Sequence, residues 1–101
     1  MTGAELDTLI QALVDELHLA GYHFPDSRQV TARGWVDWFI IGPRGVLFRE
    51  AKGDGDTLSG EQRALGYALR AHGLNWDVWQ AGHVGVISAE LEAIAALRVP
   101  G

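Results

Sequence analysis

Hydrophobic positions along the 101-residue chain change period several times, and each change marks an element. From Glu5 to Ala20 the apolar residues Leu6, Leu9, Ile10, Leu13, Val14 and Leu17 recur at intervals of three and four, which predicts an amphipathic helix. Thr2 or Gly3 is its expected cap and Gly21 its expected C-cap. Tyr22 to Phe24 predicts a short strand, and Pro25 to Arg33 a polar loop. Gly34 to Ile41 is rich in aromatic and β-branched side chains, Gly42-Pro43-Arg44-Gly45 supplies turn chemistry, and Val46 to Ala51 is a second apolar run, so a hairpin is expected. After an acidic loop from Gly53 to Leu58, Ser59 opens a second helix with the Ser59–Gln62 spacing of a capping box. Leu58, Gln62, Leu65 and Leu69 share its apolar stripe, and His72 and Gly73 end it. Asn75 to Gln80 alternates as a strand, with Trp76 and Val78 on one face and Trp79 on the other. Gly82 to Ile87 reads as loop, and Ser88 as the cap of a last helix carrying Leu91, Ile94, Ala95 and Leu97. The expected architecture is one α/β domain over residues 1–101, a mixed sheet with helices packed on it.

The hairpin places acids where the pattern is most apolar. Strand alternation puts Trp35, Asp37, Phe39 and Ile41 on one face, and Val46, Phe48, Glu50 and Lys52 on one face of the partner strand. A loop of two or four residues pairs Ile41 with Val46, Phe39 with Phe48, Asp37 with Glu50 and Trp35 with Lys52. Pro43 at the first turn position favours the four-residue loop. A three-residue loop instead sets Asp37 opposite Ala51. In the first register two carboxylates stand roughly 5 Å apart at Cβ. At an effective dielectric near 20 their repulsion is on the order of 3 kcal/mol, a large part of a domain's stability. Lys52, a raised pKa on one acid, or a bound divalent cation offsets it. The bland alternative is a different register with both acids solvated.

Composition narrows the chemistry. No cysteine is present, which excludes disulfides and thiolate metal sites. A net charge of −5 argues against nucleic-acid binding by general basicity, although Arg28, Arg33, Arg44, Arg49, Arg63 and Arg70 remain as phosphate contacts. No signal peptide or membrane span is legible, so a cytoplasmic location and no membrane partner are expected. The Gly53–Leu58 loop lacks the full calcium-loop ligand pattern, and His23 has no second histidine at ligand spacing. Glu5 and Glu16 lie eleven positions apart, on one edge of the first helix's stripe, and either leans over the sheet or is solvated.

Three segments carry a family resemblance: Gly34-Trp35-Val36-Asp37, then Phe48-Arg49-Glu50-Ala51-Lys52, then Leu58-Ser59-Gly60-Glu61-Gln62-Arg63. Together with the first helix they resemble the VRR-NUC (virus-type replication-repair nuclease) domain of the PD-(D/E)xK nuclease superfamily, over about Glu5 to Trp79. The resemblance implies a restriction-endonuclease-like αβββαβ core, here with a small C-terminal helix. It implies Mg²⁺ or Mn²⁺ held by Asp37, Glu50 and the backbone carbonyl of Ala51, with Lys52 and Gln62 as further catalytic residues. The family's helix-one glutamate falls on Glu5, with Glu16 as the alternative, and Arg28, Arg33, Arg44 and Arg63 are DNA-backbone candidates. The implied activity is hydrolysis of DNA phosphodiesters, on branched or four-way-junction DNA, by a homodimer acting in replication, repair or recombination in a bacterial cell or phage-infected host. The alternative is a catalytically silent DNA- or protein-binding module. Two departures bear on activity: Val36 replaces the family's proline before the aspartate, and Trp38 stands where a small aliphatic residue is usual.

Overall fold

A computed structural model describes residues 1–25 and 34–96. Arg28, Arg33 and Leu97 lie outside the described residues. The elements are α1 (Gly3–Glu16), β1 (Ala20–His23), β2 (Trp38–Gly42), β3 (Gly45–Lys52), α2 (Gly60–Ala71), β4 (Trp76–Gln80) and α3 (Val84–Ala95). They form an α/β domain with a four-stranded mixed sheet in the order β1-β2-β3-β4, antiparallel except for the parallel β3–β4 pair.

Helix α1 begins on Thr2, whose side chain accepts from the Glu5 amide while the Glu5 carboxylate takes the Thr2 amide. This reciprocal box satisfies donors that the first helical turn leaves free. Gly21 does not end the helix. His18 adopts the left-handed conformation at φ 56°, Leu19 N–H donates to Val14 C=O (3.0 Å) and His18 N–H to Asp15 C=O (3.1 Å), a Schellman stop that releases Ala20 and Gly21 into β1. The apolar stripe of α1, Leu6, Ile10 and Val14, meets Trp38, Ile40, Leu47 and Trp79 from the sheet and Ile87, Leu91 and Ile94 from α3 in one core.

The hairpin register is the expected one, with Ile41 opposite Val46 and Phe39 opposite Phe48. The loop is shorter than expected: Gly42 pairs with Gly45, leaving only Pro43 and Arg44 in the turn, and Arg44 N–H docks the turn on Ile94 C=O at 3.0 Å. Trp35 does not pair with Lys52; it packs edge-on against Phe24. Helix α3 starts at Val84, not Ser88, with His83 as its N-cap residue. Val84, Gly85, Val86 and Ile87 are weak helix formers, and burial of Ile87 beside Leu91 and Ile94 overrides that preference. The second helix and β4 lie where the pattern put them, with both Trp76 and Trp79 buried.

Candidate active site

Regular pairing of β2 with β3 ends at Trp38 opposite Arg49. One step beyond, side chains take over the ladder's hydrogen bonds. The Asp37 amide donates to Glu50 Oε1 at 3.2 Å, and the Ala51 amide donates to Asp37 Oδ2 at 2.8 Å. The Asp37 carbonyl meanwhile accepts from Phe24 N–H at 2.8 Å. The two carboxylates are thereby locked across the hairpin's open end. Glu50 is fully buried in the strand, whereas Asp37 is half-buried just before β2.

Lys52 and Gln62 join this pair. Lys52 Nζ donates to Gln62 Oε1 at 2.9 Å, and Gln62 Nε2 reaches Glu50 Oε1 at 3.4 Å. Gln62 also completes the α2 capping box, its Oε1 accepting the Ser59 amide and its amide donating to Ser59 Oγ. The capping and site-facing readings of Gln62 therefore hold together. Because the cap fixes the side chain, the helix start positions Lys52.

A cavity of about 690 Å³ opens beside the acids, lined by Asp7, His23, Asp37, Trp38, Ala51 and Lys52 among others. Asp7 was not legible as a site residue. Its Oδ1 accepts from Trp38 Nε1 at 2.9 Å, its Oδ2 lies 3.3 Å from His23 Nε2, and His23 stacks on Trp38 with centroids 4.5 Å apart. The available signal was Asp7's place beside Leu6 at the edge of the apolar stripe. Trp38, read as a departure from the family pattern, is thus the residue that anchors Asp7.

Electrostatics follow from burial. Glu50 is pushed up from 4.5 to about 7, chiefly by desolvation and then by the Asp37 charge, with the Asp37 amide and Lys52 pulling the other way. Burial also raises Asp37, against the Ala51 amide and Lys52, which lower it. Comparison with protein-family models, with curated proteins and with solved structures returns no match.

Glu5 and Glu16 do not converge on this cluster. The α1 capping box holds Glu5, where hydrogen bonds to Thr2 lower its pKa, and Glu16 is exposed at the end of the same helix. Arg49 is not available to a ligand: it is buried and bound to Glu90 and Asn75. Arg70 pairs with Asp77 and lies over Trp76, and Arg44 sits in the hairpin turn. Among the described residues no group of three His, Asp or Glu side chains is arranged to hold a metal ion. The pair itself still suits a hard divalent cation. Glu50 Oε2 is buried with no hydrogen-bond partner among the described residues, and both acids are held above their ordinary pKa by burial that a cation would offset. Mg²⁺ needs no more than one or two carboxylates where water and substrate phosphate complete its shell.

Proposed function

We propose that this chain is a metal-dependent deoxyribonuclease of the VRR-NUC type, with a PD-(D/E)xK core, that hydrolyses DNA phosphodiester bonds. The observation that carries the reading is the pair of amide–carboxylate bonds across the hairpin's open end, Asp37 N–H to Glu50 and Ala51 N–H to Asp37, with Lys52 tethered beside them by Gln62. The element order through β4 supports it, since it runs helix, three strands, helix, strand.

Asp37, Glu50 and the Ala51 carbonyl would hold Mg²⁺ or Mn²⁺. When bound, the ion supplies charge for the scissile phosphate and acidifies its coordinated water. The residues do the rest. Asp37 and Glu50 are each oriented by an amide hydrogen bond to one carboxylate oxygen, and Glu50 Oε2, without a partner among the described residues, would be offered to the cation. Lys52 places a positive charge where negative charge grows on the phosphate, and Gln62 fixes its ammonium. The favoured substrate is branched DNA, in particular a four-way junction, met by a homodimer with one site per arm of the two-fold.

The test offers labelled four-way junction, flap, single-stranded and duplex DNA with Mg²⁺, Mn²⁺ or EDTA. Cleavage with metal and none in EDTA is expected. Glu50→Ala should abolish cleavage, and Lys52→Ala should slow it by about 10²–10³, the size of a lost transition-state donor. Cleavage indifferent to EDTA or to both substitutions overturns the metal mechanism. A strictly monomeric species in light scattering at micromolar concentration overturns symmetric junction resolution.

A silent binding module is the second reading. It is favoured by Asp37 Oδ2 and Glu50 Oε1 already holding amide donors, with no group of three His, Asp or Glu among the described residues arranged to hold a metal ion. Binding without cleavage under every metal would select it.

A further inference from the structure

The described cations are unevenly spent. Arg49 is buried against Glu90, and Arg70 pairs with Asp77. Arg44 lies in the β2–β3 turn, at the opposite end of the eight-residue strand β3 from Lys52, about 26 Å away at ~3.3 Å per residue. Lys52 and Arg63 remain, and they share a wall. A second cavity, of about 250 Å³, is lined by Lys52, Thr57, Arg63 and Gln80, with Asp56, Leu58 and Val78 completing it. Lys52 and Asp56 also line the larger cavity at the acid pair, so the two spaces adjoin.

The two cavities differ in chemistry. The larger is lined by the acids Asp7 and Asp37, whereas the smaller is lined by Lys52, Arg63, Gln80 and Thr57, whose side chains carry an ammonium, a guanidinium, an amide and a hydroxyl. Those four groups are the donors that take phosphate oxygens, with arginine matching them in a fork. Its one carboxylate, Asp56, already accepts the Gly53 amide at 3.1 Å. In a chain of net charge −5, Lys52 and Arg63 line one cavity together, beside Asp56.

We propose that the Lys52–Thr57–Arg63–Gln80 cavity is a phosphate subsite, which holds the phosphodiester adjoining the one at Asp37 and Glu50 on the same DNA strand. The subsite rests on the nuclease reading for its ligand. Lys52 then stands between two consecutive phosphates, and the strand runs from the acid cavity over the start of α2. Arg63 is a binding residue here, not a catalytic one.

The experiment measures binding of a fluorescent four-way DNA junction, and of a single-stranded oligodeoxynucleotide, across a salt series in EDTA and again with Ca²⁺. Arg63→Ala should weaken binding about fivefold at 0.1 M salt and reduce the slope of log K against log salt by about 0.7–0.9, the value of one phosphate contact. Arg63→Lys should restore most of the slope, and Arg63→Glu should exceed the alanine loss. In cleavage, KM should rise several-fold with a smaller fall in kcat. Arg63 is exposed on α2 and alanine is a strong helix former, so the fold should be retained, and circular dichroism checks it. Wild-type cleavage with Arg63→Ala unchanged in slope and KM overturns the subsite and leaves the nuclease reading standing. No cleavage by wild type, with the slope still falling in Arg63→Ala, keeps the subsite and overturns the nuclease. Absence of DNA binding under both conditions overturns both.

Discussion

Glu50 carries a consequence that needs no ligand. In the unfolded chain it titrates near 4.5, whereas in the folded, metal-free protein burial beside Asp37 holds its proton up to about 7. Between those values the folded state binds the extra proton, so stability falls as pH rises through the window and levels off above it. The difference is worth on the order of 3 kcal/mol. Thermal unfolding in EDTA should show a Tm several degrees lower at pH 8 than at pH 5, and Glu50→Gln should remove most of that difference. An unchanged slope in the variant would show that Glu50 is ionised throughout. Asp37, also raised by burial, contributes with the same sign. These residues were legible because strand alternation and one register suffice to bring Asp37, Glu50 and Lys52 together. Asp7 was not, because its place depends on an indole N–H thirty-one positions away. Glu5 lies apart from the pair because its spacing from Thr2 suits a capping box, and that local bond holds it at the helix start.

At the scale of elements, local signals worked where a cap or turn decided the outcome and failed where packing did. Ser59 and Gln62 announced α2, but Ser88 looked like a cap and is interior to α3. Two glycines separate the local and packing contributions. A Cβ on Gly66 would stand 2.3–2.5 Å from the Trp76 ring, which is buried beneath α2. Gly66→Ala should therefore cost about 1–3 kcal/mol by forcing α2 off β4, despite alanine's better helix propensity. Gly85, in the first turn of α3, has nothing within 4 Å of an added Cβ. Gly85→Ala should instead gain about 0.4–1 kcal/mol by restricting the unfolded chain. Urea titrations of both variants check the opposite signs. A stabilising Gly66→Ala would mean that the helix is not seated on Trp76.

For the whole molecule, the layer order followed from the pattern, but what ties the layers did not. Arg49 lies inside an apolar run, with no signal in its neighbourhood that it is paired, because Glu90 is forty-one positions away in α3. Its guanidinium also takes the carbonyl and side-chain oxygen of Asn75 and sits over Trp79, whose indole N–H donates to the same Glu90 oxygen at 2.7 Å. One buried cation thus joins β3, the approach to β4, β4 itself and α3. It sits next in sequence to Glu50, on the opposite side of the strand, so its anchoring helps hold Glu50 toward α2. Glu90→Ala removes the counter-charge and should cost about 3 kcal/mol, the low end for a broken buried pair, because Glu90 is 30% exposed. The double variant Arg49→Met with Glu90→Leu removes both charges while keeping volume, and should be more stable than Glu90→Ala alone. Urea unfolding of the three proteins measures this. A double variant less stable than Glu90→Ala would mean that Arg49's bonds to Asn75, and not its pairing with Glu90, hold α3 and the sheet edge together.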